Sequence, residues 1–293
     1  MSVKTALITG CRSGFGHRLA RRLLDDGWAV VATDPQLDGW HTALPHAERL
    51  TVRPLDVRDP AQVATVVGEL DHLDVLVNNG GYAVFGTQEE VDLEVVRDLF
   101  DVNVLGAARM TRAALPLLRA SQGTIVQLSS VAGRTVFPES GFYAATKHAI
   151  EAMSDALVQE VGPLGVRVRV IEPGSFATRF LDTAQQRSPA PPPESPYADL
   201  RPLWSQRKGE VLEPPQDPQL VADAIVASLA RPALFERVVV GPDAQRILDA
   251  RDLLGADGFS LLSAERNGAA GAFDATDLEP PVRDRLRALR HLD

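Results

Sequence analysis

Short apolar runs alternate with longer segments of helical length along most of this 293-residue chain. The short runs are rich in Val, Ile and Leu, which is typical of parallel strands buried on both faces of a sheet. Seven runs fit this description: Val3–Thr9, Ala29–Thr33, Arg49–Leu55, Leu73–Val77, Gly123–Ser129, Val166–Ile171 and Val238–Val240. The helical segments between them are Phe15–Asp26, Pro60–Leu70, Leu93–Leu118, Tyr143–Gly162 and Pro218–Ala230. The alternation predicts an α/β fold with one doubly wound parallel sheet flanked by helices. We expect Pro116 to end the third helix or to kink its last turn.

The composition excludes several classes of partner. A net charge of −9 and a pI near 5.2 argue against nucleic acid or an anionic membrane surface. Cys11 is the only cysteine, so an internal disulfide and a cysteine-built metal site are excluded. The six histidines share no metal-ligand spacing, and we expect no metal. Without a signal-peptide pattern or an apolar run long enough to cross a membrane, the sequence predicts a soluble cytoplasmic protein.

A glycine-rich loop follows the first predicted strand directly and leads into a helix. It contains Gly10, Cys11, Arg12, Ser13, Gly14, Phe15 and Gly16. Glycines at such a turn allow a pyrophosphate to approach the backbone, and the N-terminus of the helix attracts its charge. Asp34 ends the second predicted strand, where a carboxylate suits the hydroxyls of a ribose and repels a 2′-phosphate. The alternative for Asp34 is an ordinary Asp-Pro turn after a strand.

Tyr143 and Lys147 are four residues apart in a predicted helix, so both side chains lie on one face. A tyrosine transfers protons poorly at neutral pH because its pKa is about 10, and a nearby cation favours the phenolate. Ser130 follows the fifth predicted strand and is expected to hold its hydroxyl beside the phenol. This trio can move a proton at a carbon–oxygen bond, although an exposed tyrosine with a neighbouring lysine has the same spacing.

Two regions interrupt the alternation. Ala184–Pro218 contains nine of the 21 prolines, and it is longer than an ordinary connection. We interpret it as part of a substrate lid over about residues 176–218, with a disordered surface loop as the alternative. The predicted domain covers residues 1–254. Residues 255–293 form a C-terminal extension of unassigned role, which ends in a helical pattern over Pro281–Leu292.

Taken in order, the motifs resemble the short-chain dehydrogenase/reductase family over residues 3–245, and the family has a Rossmann-type fold. The matching positions are the glycine loop, Asp56-Val57, Asn78-Asn79-Gly80, Asn103, Ser130, Tyr143-x3-Lys147 and Pro173-Gly174 with Thr178. The resemblance implies that Asp56 and Val57 contact an adenine, and that Asn79 and Gly80 shape the floor of the cofactor site. It places the segment from Pro173 to Thr178 near a nicotinamide; its cofactor-binding members are Pro173, Gly174, Phe176 and Thr178.

The resemblance also implies a catalytic tetrad, which consists of Asn103, Ser130, Tyr143 and Lys147. Tyr143 would exchange the proton of the substrate oxygen while the nicotinamide transfers a hydride, and Ser130 would hold that oxygen. Lys147 would lower the pKa of the phenol and bind the nicotinamide ribose. Asn103 would distort its helix and hold a water molecule that links Lys147 to solvent.

Two departures from the family pattern bear on the cofactor. Gly80-Gly81 replaces the usual Ala-Gly, a small change that we expect to be tolerated. Relatives that use NADP often have an arginine after the second strand, where this chain has Asp34-Pro35. Arg12 in the glycine loop is an alternative phosphate partner. We give Asp34 more weight, because a carboxylate would repel a 2′-phosphate directly, and we expect NAD rather than NADP.

The residues around the tetrad predict a mostly apolar pocket for a bulky or cyclic alcohol or ketone. They are Tyr82, Phe85, Arg134, Val136, Phe137, Glu139, Phe142, Phe176, Arg179 and Phe180. Basic residues of the lid are alternative partners for a carboxylate or phosphate: Arg179, Arg201, Arg207 and Lys208. Tyr197 and Trp204 either cover the substrate or anchor the lid.

The sequence thus predicts an NAD-dependent oxidoreductase that interconverts a secondary alcohol and a ketone, with Tyr143 as general acid and base. The alternatives are an epimerase or dehydratase that uses NAD transiently, and a dinucleotide sensor without turnover. The resemblance further implies a homodimer or homotetramer that pairs through Leu93–Leu118 and Tyr143–Gly162.

Overall fold

The structure, a computed structural model, describes residues 3–212, 214–269, 271 and 279–288. Its seven strands form one parallel sheet: β1 (Thr5–Thr9), β2 (Ala29–Asp34), β3 (Leu50–Pro54), β4 (Val75–Asn78), β5 (Thr124–Leu128), β6 (Arg167–Pro173) and β7 (Phe235–Val240). Their order is β3-β2-β1-β4-β5-β6-β7, so the predicted doubly wound Rossmann-type sheet is confirmed. The order reverses between β1 and β4, and ligands of such sheets bind at the carboxyl ends of the strands near that point.

Helices cover both faces of this sheet. They are α1 (Gly14–Asp25), α2 (Pro60–Gly68), α3 (Leu93–Phe100), α4 (Ala107–Ser121), α5 (Gly141–Val161), α6 (Phe180–Arg187), α7 (Arg201–Val211), α8 (Gln219–Leu229), α9 (Pro242–Arg266) and α10 (Pro280–Ala288). A π-helical segment, Asp101–Gly106, joins α3 to α4. No helix in the described ranges is long and apolar enough to cross a membrane.

The core lies in two layers because side chains alternate between the faces of a strand. In β1, Ala6 and Ile8 pack with α1 and α8, whereas Leu7 points to the opposite face and packs with α2, α4 and α5. All three residues are fully buried. The two apolar layers fix the sheet and leave the carboxyl ends of its strands as the rim of the site.

Of the two outcomes predicted for Pro116, an end of the helix is contradicted, and a kink of its last turn stays a prediction. Helix α4 continues through Pro116 to Ser121. A proline removes one backbone hydrogen bond, but Ala114 and Leu118 on either side of it are fully buried against the sheet. The packing of this face therefore carries the helix past the proline. The interruption in the predicted Leu93–Leu118 helix lies earlier, at the π-helical segment.

The C-terminal extension begins inside α9. At Gly255 the backbone leaves helical geometry, with φ of 72° and ψ of 172°, and the helix then resumes. Beyond this break, Phe259 and Leu262 are buried in the same cluster as Ile247 and Leu248 before it. The extension therefore packs on the main domain as far as it is described here, and the boundary at residue 255 stays a prediction. Part of the predicted Pro281–Leu292 helix appears as α10, and residues 289–293 lie outside the described residues.

Candidate active site

The glycine loop after β1 is packed directly onto the loop after β4. At Gly10 φ is +71°, and a Cβ there would come within 2.8 Å of the Gly80 Cα. A Cβ at Gly16 would come within 2.5 Å of the Asn79 amide nitrogen. That amide donates hydrogen bonds to the carbonyl oxygens of Thr9 (2.8 Å) and Gly10 (2.9 Å). The two loops thus form a rigid floor where only glycine fits at the contact points.

Asp34 and Arg12 meet at the end of β2. The Asp34 carboxylate accepts hydrogen bonds from the backbone N–H groups of Arg12 and Gln36, each at 3.2 Å. The Arg12 guanidinium turns away to Gln36 Oε1 (2.5 Å) and to the Asp38 carboxylate. Burial raises the pKa of Asp34, and its hydrogen bonds partly offset the effect. The arginine that was the alternative phosphate partner is therefore engaged by Gln36 and Asp38 of the segment after β2.

Tyr143 and Lys147 are both buried on one face of α5. The Lys147 ammonium donates a hydrogen bond of 2.7 Å to the Leu128 carbonyl at the end of β5. It lies 5.8 Å from the centroid of the Tyr143 ring. Ser130, two residues after β5, accepts a hydrogen bond of 3.1 Å from the Ala132 N–H, which fixes its hydroxyl in the turn. The structure thus brings the three predicted side chains together at one strand end.

Burial dominates the proton affinities of this pair. It raises the pKa of Tyr143 to about 12, and the neighbouring Ser130 hydroxyl offsets part of the increase. It lowers the pKa of Lys147 to about 8, although Glu151, one turn further along α5, acts in the opposite direction. The direction for Tyr143 is opposite to the one predicted from Lys147, because loss of hydration outweighs the other contributions.

Asn103 lies inside the π-helical segment, so the helix distortion expected at this residue is present. Its side-chain oxygen accepts from the Tyr82 N–H (3.0 Å), and its amide donates to the Tyr82 carbonyl (2.8 Å) and to the Thr146 hydroxyl (3.2 Å). The amide therefore ties the loop after β4 to α5. The predicted water molecule is not tested by these contacts.

A groove of about 490 Å³ runs across the strand ends. Most predicted cofactor residues line it: Gly10, Arg12, Ser13, Gly14, Phe15, Asp34, Asp56, Val57, Asn79, Gly80, Tyr143, Lys147 and Thr178. Four other predicted cofactor residues are not among those that line the groove: Gly16, Pro173, Gly174 and Phe176. Phe176 is buried and packs edge to face on Phe15, with ring centroids 5.5 Å apart.

Helix α6 adds groove residues that the motifs did not indicate. Thr183, Gln186 and Arg187 line the groove on the side of the lid, and the Arg187 guanidinium lies 4.1 Å from the Tyr82 ring centroid. Their spacing of three and four residues on one helix face was the signal available in the sequence. The proline-rich composition of the region obscured that helix.

The lid is helical and is tied down by polar contacts. Arg201 donates to Glu139 (2.8 Å) and to Ser195 (2.7 Å) and also pairs with Glu90. The Trp204 indole donates to the Asn267 carbonyl of the C-terminal extension at 3.2 Å. Phe180 packs on the Tyr143 ring, with centroids 5.5 Å apart.

The structure divides the predicted pocket residues among several places. Phe85, Phe137 and Glu139 line a cavity beside the lid. Phe142 packs instead on a separate apolar cluster that contains Tyr82, and Val136 is 46% exposed.

Three basic side chains predicted to bind the substrate do not face that cavity as free cations. One lies in the groove, and the other two are paired with carboxylates. Arg179 is exposed, but it lines the groove. Arg134 pairs with Asp252 at 2.6 Å, and Arg207 pairs with Glu210 at 2.8 Å. In the part of the chain that the structure describes, no cluster of three or more His, Cys, Asp or Glu side chains fits a metal ion.

Comparison with known proteins agrees with this fold. The family model described as short chain dehydrogenase matches residues 4–189. A solved short-chain dehydrogenase from Streptomyces avermitilis is 31% identical, with a TM-score of 0.75 over 91% of this chain and 99% of that one. One from Burkholderia cenocepacia, solved in complex with NADP, is 25% identical, with a TM-score of 0.69 over 86% of this chain and 93% of that one.

Among curated proteins, mouse mitochondrial D-beta-hydroxybutyrate dehydrogenase is 37% identical over 188 residues. The match covers 60% of this chain and 55% of the mouse protein, so the chain spans about half the length of that relative. The chain belongs to the short-chain dehydrogenase family.

Proposed function

We propose that this protein is an NAD-dependent oxidoreductase that interconverts a secondary alcohol and a ketone. The observation that carries the proposal is the placement of Tyr143 and Lys147 at the inner wall of the groove. Lys147 is held there by the Leu128 carbonyl at 2.7 Å. A buried phenol and a buried ammonium at a strand end are suited to proton transfer rather than to surface contacts.

The groove fits a nicotinamide dinucleotide. The glycine loop lines the groove where α1 begins, so backbone N–H groups there would bind the phosphates, and Asp56 and Val57 line the groove farther along. Lys147 and Thr178 would hold the nicotinamide end, and Asp34 the adenine ribose.

The preference for NAD rests on Asp34 and on the engagement of Arg12. A carboxylate at the end of β2 accepts hydrogen bonds from ribose hydroxyls and repels a 2′-phosphate. Arg12, the nearest cation in the loop, is paired with Asp38. The Burkholderia relative was solved with NADP, so this preference is part of the proposal.

In the proposed mechanism the cofactor supplies a hydride acceptor or donor at the groove. Tyr143 would take the proton of the substrate hydroxyl during oxidation and return it during reduction. Ser130 would hold the same oxygen by a hydrogen bond. Lys147, one turn after Tyr143 on α5, would stabilise the phenolate. Asn103 would hold the loop after β4 in place through its hydrogen bonds to Tyr82.

The first test is a screen of secondary alcohols and ketones with NAD(H) and NADP(H), followed by NADH or NADPH absorbance. We expect at least one secondary alcohol to yield ketone and NADH in equal amounts, with NADPH formed more slowly. Turnover of a substrate without net NADH would support the epimerase or dehydratase alternative. Dinucleotide binding without turnover of any compound would support the sensor.

Two further predictions stay proposals. Pairing through Leu93–Leu118 and Tyr143–Gly162 would give a homodimer or homotetramer, which light scattering of the purified protein would measure. A cytoplasmic location is expected from the sequence, whereas the mouse relative is named as mitochondrial.

A further inference from the structure

A second cavity, of about 210 Å³, lies between α7 of the lid and the part of α9 beyond Gly255. With about 30 Å³ for each water-sized group, it has room for roughly seven methylene groups. The apolar members of its wall are Phe85, Phe137, Trp204, Val211, Phe259 and Leu262. The C-terminal extension therefore supplies one side of a binding space, which is a role that the sequence alone did not indicate.

This cavity adjoins the candidate active site through Phe85. The Phe85 ring packs against the small cluster that contains Tyr143 and Ala144. The same ring forms part of the cavity wall. A ligand that fills the cavity thus lies against the aromatic side chain that packs on the cluster containing Tyr143.

Most cations around the cavity already have carboxylate partners. Arg207 donates to Glu210 at 2.8 Å, and Arg266 reaches the same carboxylate at 3.4 Å. Arg201 binds Glu139 at 2.8 Å. Each of these arginines therefore has a carboxylate partner within the protein, and Arg207 and Arg266 share theirs.

Lys208 differs from them. Its ammonium lies 4.4 Å from the Phe85 ring centroid, and no carboxylate of the described residues lies within 4.0 Å of it. The nearest acidic influence is Glu139, which Arg201 already holds. Burial lowers the pKa of Lys208 from its ordinary value. A half-buried cation that faces an apolar cavity lacks its usual hydration and gains from an anionic partner.

The residue type adds an independent observation. The chain has 27 arginines but only three lysines, which are Lys4, Lys147 and Lys208. One of them is the buried lysine of the candidate active site, and another lines this cavity.

We propose that Lys208 anchors the anionic group of an amphipathic substrate, and that the cavity holds its apolar chain. The substrate class is a hydroxy or keto acid of medium chain length, with its carboxylate beside Phe85 and its chain against Phe259 and Leu262. The identification of this ligand as a substrate rests on the proposed function, but the anion site itself does not.

A calorimetric titration tests the site without turnover. The probes are octanoate and octanamide, which have the same chain and differ in charge, added to the 293-residue protein with saturating NAD. For the unmodified protein we expect octanoate to bind about tenfold or more tightly than octanamide, as charge-assisted hydrogen bonds allow. Lys208→Met should remove this preference, and Lys208→Glu should reverse it. Lys4→Met is the matched control, because Lys4 lies over Trp28 on the opposite side of the fold, and it should change neither affinity.

Thermal melts of each variant show whether it is folded, and the Lys208→Glu variant remains informative if Lys208→Met is unstable. Equal binding of the two probes by the unmodified protein, failure of octanoate to bind, or the same preference in Lys208→Met would each overturn the anion site. If the preference depends on Lys208 but no hydroxy or keto acid is turned over, the anion site stands and the substrate class is wrong. The proposed function itself fails only if the screen of secondary alcohols and ketones also shows no turnover.

Discussion

The cofactor groove and the substrate lid are built in different ways. Backbone contacts make the floor of the groove, where Gly10 meets Gly80 so closely that a single added carbon would collide. Side-chain pairs between distant segments hold the lid, for example Arg201 with Glu90 and Glu139. Backbone contacts are insensitive to salt, whereas partly exposed ion pairs are screened. The groove is therefore expected to be preformed, and the lid is expected to be the part that adjusts to a ligand.

The largest effect is expected at the reacting end of the groove. Tyr143→Phe removes the proposed general acid and base but keeps the aromatic contact with Phe180. Turnover of a true substrate should fall about 10³-fold or more, since proton transfer by a positioned side chain contributes about 10²- to 10⁴-fold. The affinity for NAD should stay within a fewfold, as measured by quenching of tryptophan fluorescence. Tyr197→Phe in the lid is the control and should retain near-normal turnover. Full activity of the Tyr143 variant would contradict the mechanism.

At the other end of the groove, Asp34→Ala should change cofactor preference. Without the carboxylate, the ratio of kcat/KM for NAD over NADP should fall about tenfold or more, because like charges placed together cost several kcal/mol. Asp38→Ala provides a comparison, since it frees Arg12 while leaving Asp34 in place. That variant should gain some NADP activity with little loss for NAD. An unchanged ratio in Asp34→Ala would show that the ribose binds elsewhere.

A smaller effect is expected for the lid. Arg201→Met leaves two carboxylates without their shared cation and should loosen α7. The substrate KM should rise by about three- to tenfold while the NAD KM stays constant, because lid closure acts on the substrate side. High salt should raise the substrate KM of the unmodified protein and have less effect on the variant. Equal effects on both KM values would mean that the groove and lid are not separate units.

The smallest effect concerns β6, which lies between the two regions. Glu172 is fully buried near Glu151, and Arg134 and Arg237 face it at 3.7 Å. Burial and the Glu151 charge raise the pKa of Glu172 to about 7, so the folded protein favours its neutral form. Because the pKa of Glu172 is higher in the folded protein than in the unfolded chain, protonation of Glu172 stabilises the fold. This stabilisation is fully present below about pH 4.5 and is lost as the pH rises through about 7.

The melting temperature should therefore decline between pH 5 and pH 8, and Glu172→Gln should flatten that part of the profile. A difference of about 1 kcal/mol corresponds to roughly 2–4 °C for a domain of this size. Glu236→Gln, at a more exposed position on β7, is the control and should keep the decline. Parallel profiles for the unmodified protein and Glu172→Gln would remove Glu172 as the cause.

The same contrast explains what the sequence could predict. Local patterns encode the groove: the glycine loop, Asp34 and the Tyr143–Lys147 spacing are short motifs, and the seven strands are visible as apolar runs. The structure places these residues together as expected. The start of β7 was missed because Phe235–Arg237 mixes aromatic and charged residues and hides the strand.

The lid and the acidic pair depend on contacts that no local pattern shows. Glu151 lies one turn beyond Lys147, but only the fold brings it near Glu172. The pairing of Arg201 with Glu90 joins residues 111 positions apart. The pKa of Tyr143 was predicted in the wrong direction for a similar reason, since spacing gives the neighbouring charge but not the degree of burial.

The central claim is that this protein transfers a hydride between a secondary alcohol and NAD, with Tyr143 as the general acid and base. Its most direct test follows the hydride from a secondary alcohol carrying deuterium at the carbinol carbon, with the NADH product analysed by mass spectrometry. We expect about one deuterium per NADH, ketone and NADH in equal amounts, and loss of both products in Tyr143→Phe. Deuterium-free NADH, or undiminished transfer in Tyr143→Phe, would contradict it.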